Sequence, residues 1–143
     1  MNYACIDCMG NVLDVGDLQG GTFYPQKGSI GTQYVRKSFS ADGKTLYLTE
    51  QDLILFPVDS GSVYYYESYS ANSGKVDRVG CSCFYYYDTY SSLSGKLDRI
   101  NSTCFFYYQD YDYRKGKIER IGSTFFRYCD GYGSNRGRLE SIG

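Results

Sequence analysis

The chain has 143 residues, among them 18 Tyr, 17 Gly, 8 Phe, 6 Cys, no Trp and no His, with a formal net charge of −1. Without histidine there is no Ser-His-Asp or Cys-His nucleophile, no His metal ligand and no imidazole acid–base catalyst. A balanced charge provides no bulk basic field for nucleic acid.

Leu, Ile, Val and Phe together make 31 residues, about 22% of the chain, close to the level at which chains stay disordered. Aromatic rings must therefore do much of the burying, and a thick aliphatic core is not expected. The longest apolar run, Leu53-Ile54-Leu55-Phe56-Pro57-Val58, is far short of a membrane span. The start, Met1-Asn2-Tyr3-Ala4-Cys5, lacks the basic and apolar regions of a signal peptide. These features predict a cytoplasmic chain with reduced thiols and no membrane partner; an exported mature chain would begin in the same way.

The first 62 residues read as a diverged cap of β-hairpins. Gly10-Asn11-Val12-Leu13-Asp14-Val15-Gly16 aligns with Gly74-Lys75-Val76-Asp77-Arg78-Val79-Gly80 at its aliphatic and glycine positions. Gly20-Gly21 and residues 25–31 read as loop. Asp42-Gly43 separates the strand-like residues 33–39 from 44–49, and Glu50-Gln51-Asp52 separates the latter from 53–58.

From residue 63 the chain repeats. Gly74, Gly95, Gly116 and Gly137 are 21 residues apart each time, which predicts four tandem repeats over 63–143, the last shortened. Two positions are always tyrosine: Tyr65, Tyr86, Tyr107, Tyr128, and Tyr69, Tyr90, Tyr111, Tyr132. After each glycine come a basic residue (Lys75, Lys96, Lys117, Arg138), an aliphatic and an acidic one; Arg78, Arg99 and Arg120 follow. Each copy reads as an aromatic strand, a polar loop closed by Gly, a second strand and a tight turn such as Gly122-Ser123.

The fold expected is all-β, an antiparallel meander of 21-residue hairpins in an extended or curled sheet, forming one continuous structural unit with residues 1–62; a β-solenoid is the alternative. In a solenoid the Lys column would stack about 4.8 Å apart; in a meander it recurs every second strand, about 9.6 Å apart. That roughly halves each like-charge repulsion, from about 0.9 to 0.4 kcal/mol in water. Pairing set by Gly122-Ser123 places Arg120 opposite Phe125, with Ile118 on the arginine's face and Ile121 on the other. Neither face is then purely apolar.

The motif Tyr87-Asp88, Gly95-Lys96-Leu97, Ile100, with Gly137-Arg138-Leu139 and Ile142, resembles the tyrosine–aspartate repeats of the rearrangement-hotspot family. The resemblance spans Val63 to Gly143 and implies β-hairpins of similar length. It differs in loop placement, because Asp88 lies seven residues before its glycine. The family brings no catalytic residue.

Cys5-x-x-Cys8 with Cys81-x-Cys83 has the thiols for a zinc site, but nothing in the sequence brings the pairs together, and small buried thiols are the reading preferred. No carboxylate pair stands out for hydrolysis. No cofactor is expected, and no enzyme activity. Tyr65, Tyr86, Tyr107, Tyr128, Tyr69, Tyr90, Tyr111, Tyr132, Lys75, Lys96 and Lys117 are the candidate binding residues, forming rows for a protein partner or for self-association. Stacking of carbohydrate on the tyrosines is the alternative.

Overall fold

The computed structural model describes residues 2–131 and 133–143, all strands, turns and loops. Six strands come first: β1 (Asn2–Ile6), β2 (Val12–Gln19), β3 (Thr22–Pro25), β4 (Gln33–Ala41), β5 (Lys44–Thr49) and β6 (Ile54–Val58). Eight follow: β7 (Val63–Tyr65), β8 (Val76–Val79), β9 (Ser82–Tyr86), β10 (Leu97–Ile100), β11 (Thr103–Tyr107), β12 (Ile118–Ile121), β13 (Thr124–Tyr128) and β14 (Leu139–Ile142).

All pairings are antiparallel. Those of β1 to β6 close into a ring, because β1 pairs with both β2 and β6. The β3–β4 link in that ring is short, two residue pairs long. Strands β7 to β14 form an open sheet in sequence order. This is the meander; the parallel stacking of a solenoid is absent from the described residues.

Local chemistry explains the turns. Asp42 and Gly43 are both left-handed, at φ 51° and 72°, as a two-residue hairpin turn between strands of natural twist requires. In the repeats, Gly80, Asn101 and Gly122 take φ of 56°, 52° and 58° at the first turn position, where Gly is unstrained and Asn tolerated. Gly16, aligned in sequence with the turn residue Gly80, instead lies within the unbroken strand β2. A Cβ there would run into the Tyr24 carbonyl and the Phe23 ring, so this glycine serves close approach of strands.

Each repeat hairpin carries one extra residue on its second strand. Register slips between Leu97 and Arg99 opposite Tyr86 and Tyr85, with matching slips at Val76/Arg78, Ile118/Arg120 and Leu139/Ser141. The residues bulged out are Asp77, Asp98, Glu119 and Glu140, the acidic column. A bulge breaks the two-residue alternation of faces. Ile118 and Ile121 therefore share a face, both fully buried, which corrects the expectation that they lie on opposite sides and that neither face is apolar. The turn register itself is as expected, Arg120 opposite Phe125 and Ile121 opposite Thr124.

The inner face of the open sheet, with Phe84, Phe105, Phe126, Val79, Ile100 and Ile121, packs on the outside of the ring. Phe56 meets Phe105 and Phe39 meets Phe126, with ring centroids 5.8 and 5.7 Å apart. The sheet thus neither stands as a single layer nor curls onto itself. Inside the ring a second, smaller core gathers Cys5, Phe23 and Leu55 with Tyr3, Leu18 and Tyr47 around them. Strand β6 is buried on both faces, Leu55 inward and Ile54, Phe56 and Val58 toward the sheet. That double burial accounts for the longest apolar run of the sequence.

Phe105 lies at the centre of the junction, and its removal opens a cavity there. Phe105→Ala is expected to cost about 3–5 kcal/mol, read as a lower urea midpoint. A change below about 1 kcal/mol would mean that ring and sheet do not share this core.

Candidate binding surface

The candidate residues fall into two groups by location. The strand-borne tyrosines are used internally. The β8–β9, β10–β11 and β12–β13 ladders each end after two residue pairs, so the carbonyls of Val76, Leu97 and Ile118 lie beyond the last pair on that side. The phenols of Tyr86, Tyr107 and Tyr128 donate to these carbonyls at 2.8, 2.5 and 2.8 Å. Tyr107 and Tyr128 are each only 4% exposed, so neither ring offers a face to a ligand. Tyr65 is half-buried under the Lys27 ammonium, 3.8 Å from its ring centroid. The loop bearing Lys27 is held by the Asp14 carboxylate, which accepts from the backbone N–H of Lys27 and Gly28.

A further tyrosine column, outside the candidate binding residues, extends this framework. Tyr66, Tyr87 and Tyr108 donate to the carbonyls of Phe84, Phe105 and Phe126 in the following repeat, at 2.9, 3.2 and 2.9 Å. They meet Tyr86, Tyr107 and Tyr128 edge to face with centroids 6.0 to 6.1 Å apart, a favourable quadrupole arrangement. The aromatic runs contain these residues, but a phenol's partner 18 positions away has no local signal.

The lysine column is also inward-directed. Lys75, Lys96 and Lys117 donate to the carbonyls of Gly95, Gly116 and Gly137, each in the next repeat. Lys96 also reaches the Met9 carbonyl at 2.8 Å. The three ammoniums lie 5.1 to 5.3 Å from the ring centroids of Tyr86, Tyr107 and Tyr128. The β1–β2 turn completes the join: Leu97 N–H donates to the Gly10 carbonyl at 3.0 Å and Ile118 N–H to the Cys8 carbonyl at 2.8 Å. Gly10, at φ 82°, admits the Tyr107 ring where any Cβ would collide.

The loop tyrosines are placed differently. Tyr69, Tyr90 and Tyr111 are 89%, 96% and 91% exposed, at equivalent points of the long loops that join β7–β8, β9–β10 and β11–β12. Tyr132 lies outside the described residues. The Tyr90 loop is braced: Asp88 accepts from the Tyr90 backbone N–H at 3.0 Å, Ser91 from Leu93 at 3.0 Å, and Gly95 N–H donates to the Tyr87 carbonyl at 3.1 Å. Between this loop and the next runs a cleft of about 390 Å³, with Leu93, Lys96, Tyr108, Gln109, Tyr111 and Lys115 on its walls. The Lys115 ammonium covers one face of Tyr111, 4.0 Å from its centroid. Asp110 and Asp112 are both tied to Arg114, at 3.1 and 2.9 Å, and this pairing holds the Asp112 carboxyl below its usual range.

The cysteines are dispersed. Cys5 is sealed inside the ring, where burial pushes its thiol up to about 12, and Cys8 sits in the β1–β2 turn. Cys81 and Cys83 lie in and after the Gly80 turn. All six are free, and among the described residues no three Cys, Asp or Glu side chains gather as a metal site.

Comparison with protein-family models, with curated proteins and with solved structures found no match.

Burial raises the phenols of Tyr86, Tyr107 and Tyr128 well above the ordinary value of 10.0. Such a phenol keeps its proton in the fold after the unfolded chain has lost it. Its stabilisation is fully present below pH 10 and is lost as pH rises further. Cys5 acts in the same sense from about pH 9 to 12; Lys96, lowered by burial, acts weakly in the opposite one. The three tyrosines together are expected to remove about 4 kcal/mol per pH unit above pH 10. Alkaline unfolding followed by circular dichroism should coincide with a cooperative rise in phenolate absorbance. Gradual titration of all tyrosines with the fold intact would contradict the burial.

Proposed function

We propose that the chain is a non-enzymatic display module, in which the hairpin repeats hold Tyr69, Tyr90 and Tyr111 in a row for a protein partner or a second copy of the chain. The observation that carries this reading is the division of the tyrosines. Tyr86, Tyr107 and Tyr128 on strands spend their hydroxyls on the backbone, whereas these three stand almost fully exposed on loops. Equivalent loops recur every second strand, about 9.6 Å apart, so the rings form a regular row.

Tyrosine suits such a row. It presents a large amphipathic surface and is enriched among residues that dominate binding energy. A braced loop has little conformational entropy left to lose on association. On this reading residues 1–62 serve as the cap that covers the inner face of the sheet, and the tyrosine–aspartate likeness is one of scaffold. The cleft beside Tyr111 favours a second reading, a neutral glycan stacked on that ring with Gln109 and Lys115 as polar neighbours.

The test compares wild type with Tyr90→Ala/Tyr111→Ala, in capture from native lysate and in sedimentation at rising concentration. Loss of about 2 kcal/mol for a hot-spot residue corresponds to roughly thirty-fold weaker capture or self-association, with the urea midpoint unchanged. Retention of soluble neutral glycan, lost in the same variant, would favour the second reading. Equal behaviour of both proteins in every assay would refute the display function.

A further inference from the structure

The outer face of the open sheet, away from both the ring and the long loops, carries a second row. Arg78, Arg99 and Arg120 lie over the rings of Tyr64, Tyr85 and Phe106, with guanidinium carbons 3.8, 3.7 and 3.6 Å from the ring centroids. Each also donates from one terminal nitrogen to a turn carbonyl two residues on, at Gly80, Asn101 and Gly122, at 3.2, 2.8 and 2.8 Å. Stacking on one side and a hydrogen bond at one end fix each guanidinium in a single pose.

Among the described residues none of the three cations lies in an ion pair. Arg36 and Arg114, by contrast, each hold a carboxylate. The acids that precede Arg78 and Arg99 in sequence, Asp77 and Asp98, sit beside the phenols of Tyr66 and Tyr87 instead. In the fourth repeat the aromatic position is taken by the exposed Arg127, opposite Ser141 and sharing a small pocket with Asp130 and Glu140, so the unpaired row is the three stacked arginines. Ring atoms stay accessible beside the cations: Tyr64 is 45% exposed and Tyr85 38%.

From this arrangement we infer that the outer face binds a linear acidic glycan carrying one carboxylate per disaccharide. The strands that carry successive guanidiniums are two apart, about 9.6 Å, the length of two sugar rings in an extended chain. Each would meet one uronate, with a guanidinium edge free for paired donation to a carboxylate. The exposed parts of Tyr64 and Tyr85 would meet the apolar faces of the sugars. Nucleic acid fits the spacing poorly, because phosphates recur about every 3.4 Å along a strand of B-form duplex. The site shares no residue with the loop tyrosines, so it stands or falls separately from the display function.

The test uses the full chain and an oligosaccharide of alternating glucuronate and N-acetylglucosamine, with dextran and oligothymidylate as comparison probes, in titration calorimetry at low and high salt. Wild type is expected to bind the uronate oligosaccharide, more weakly as salt rises. Arg99→Gln/Arg120→Gln should bind at least ten-fold more weakly. Arg99→Lys/Arg120→Lys keeps the charge and covers the rings with its stems, and should lose only a few-fold; it serves as the folded comparison if the Gln variant is destabilised. Tyr90→Ala/Tyr111→Ala should bind as wild type. No binding by wild type, equal binding by the Gln variant when folded, full loss in the Lys variant, or tighter binding of dextran or oligothymidylate would each overturn the inference.

Discussion

Backbone hydrogen bonding at the splayed ends of the hairpins is the constraint on which this structure depends. Each turn-side ladder of the repeats ends after two pairs, and the carbonyls beyond it are in the protein interior. An unpaired buried carbonyl costs about 1–3 kcal/mol, and three of them together would take up much of the stability of a domain this size. Tyrosine and lysine are residues that can reach them. A phenol carries a donor at the end of a rigid apolar body, and an ammonium carries three on a stem that lies along the rings. The abundance of tyrosine and the strict spacing of the Gly-Lys pairs follow from that need.

The same constraint ties the two sheets together. The β1–β2 turn supplies carbonyls to the backbone N–H groups of Leu97 and Ile118 and to the Lys96 ammonium. Residues far apart in sequence thus share one hydrogen-bond network as well as one core. The ring covers the inner face of the repeats and leaves their loop edge and outer face uncovered. Those two surfaces differ in chemistry: almost fully exposed tyrosines on the first, arginines stacked on part-exposed rings on the second.

Much of this was legible in the sequence, and the failures have specific causes. The 21-residue glycine spacing gave the hairpins and their order, and Asp42-Gly43 and Gly122-Ser123 marked real turns. The bulges at Asp77, Asp98, Glu119 and Glu140 were hidden, because an acidic residue between an aliphatic one and an arginine looks like ordinary strand alternation. Missing them reversed the side of Ile118 and concealed the apolar face. Closure of the ring was equally hidden, since it depends on pairing of β1 with β6 over some fifty intervening positions. Of the candidate site, the columns were found, but invariance within the repeats pointed alike to buried Tyr107 and exposed Tyr111. Only three-dimensional placement separates a phenol bonded to a carbonyl from one facing water.

The division of labour among the tyrosines is tested most directly by removing hydroxyls without removing rings. Urea unfolding should be measured for Tyr107→Phe/Tyr128→Phe and for Tyr90→Phe/Tyr111→Phe. The first pair leaves the Leu97 and Ile118 carbonyls unsatisfied and is expected to lose about 1–2 kcal/mol per hydroxyl; the second should stay within about 0.5 kcal/mol of wild type. Equal stability of the two variants would contradict the structural role assigned to the strand tyrosines.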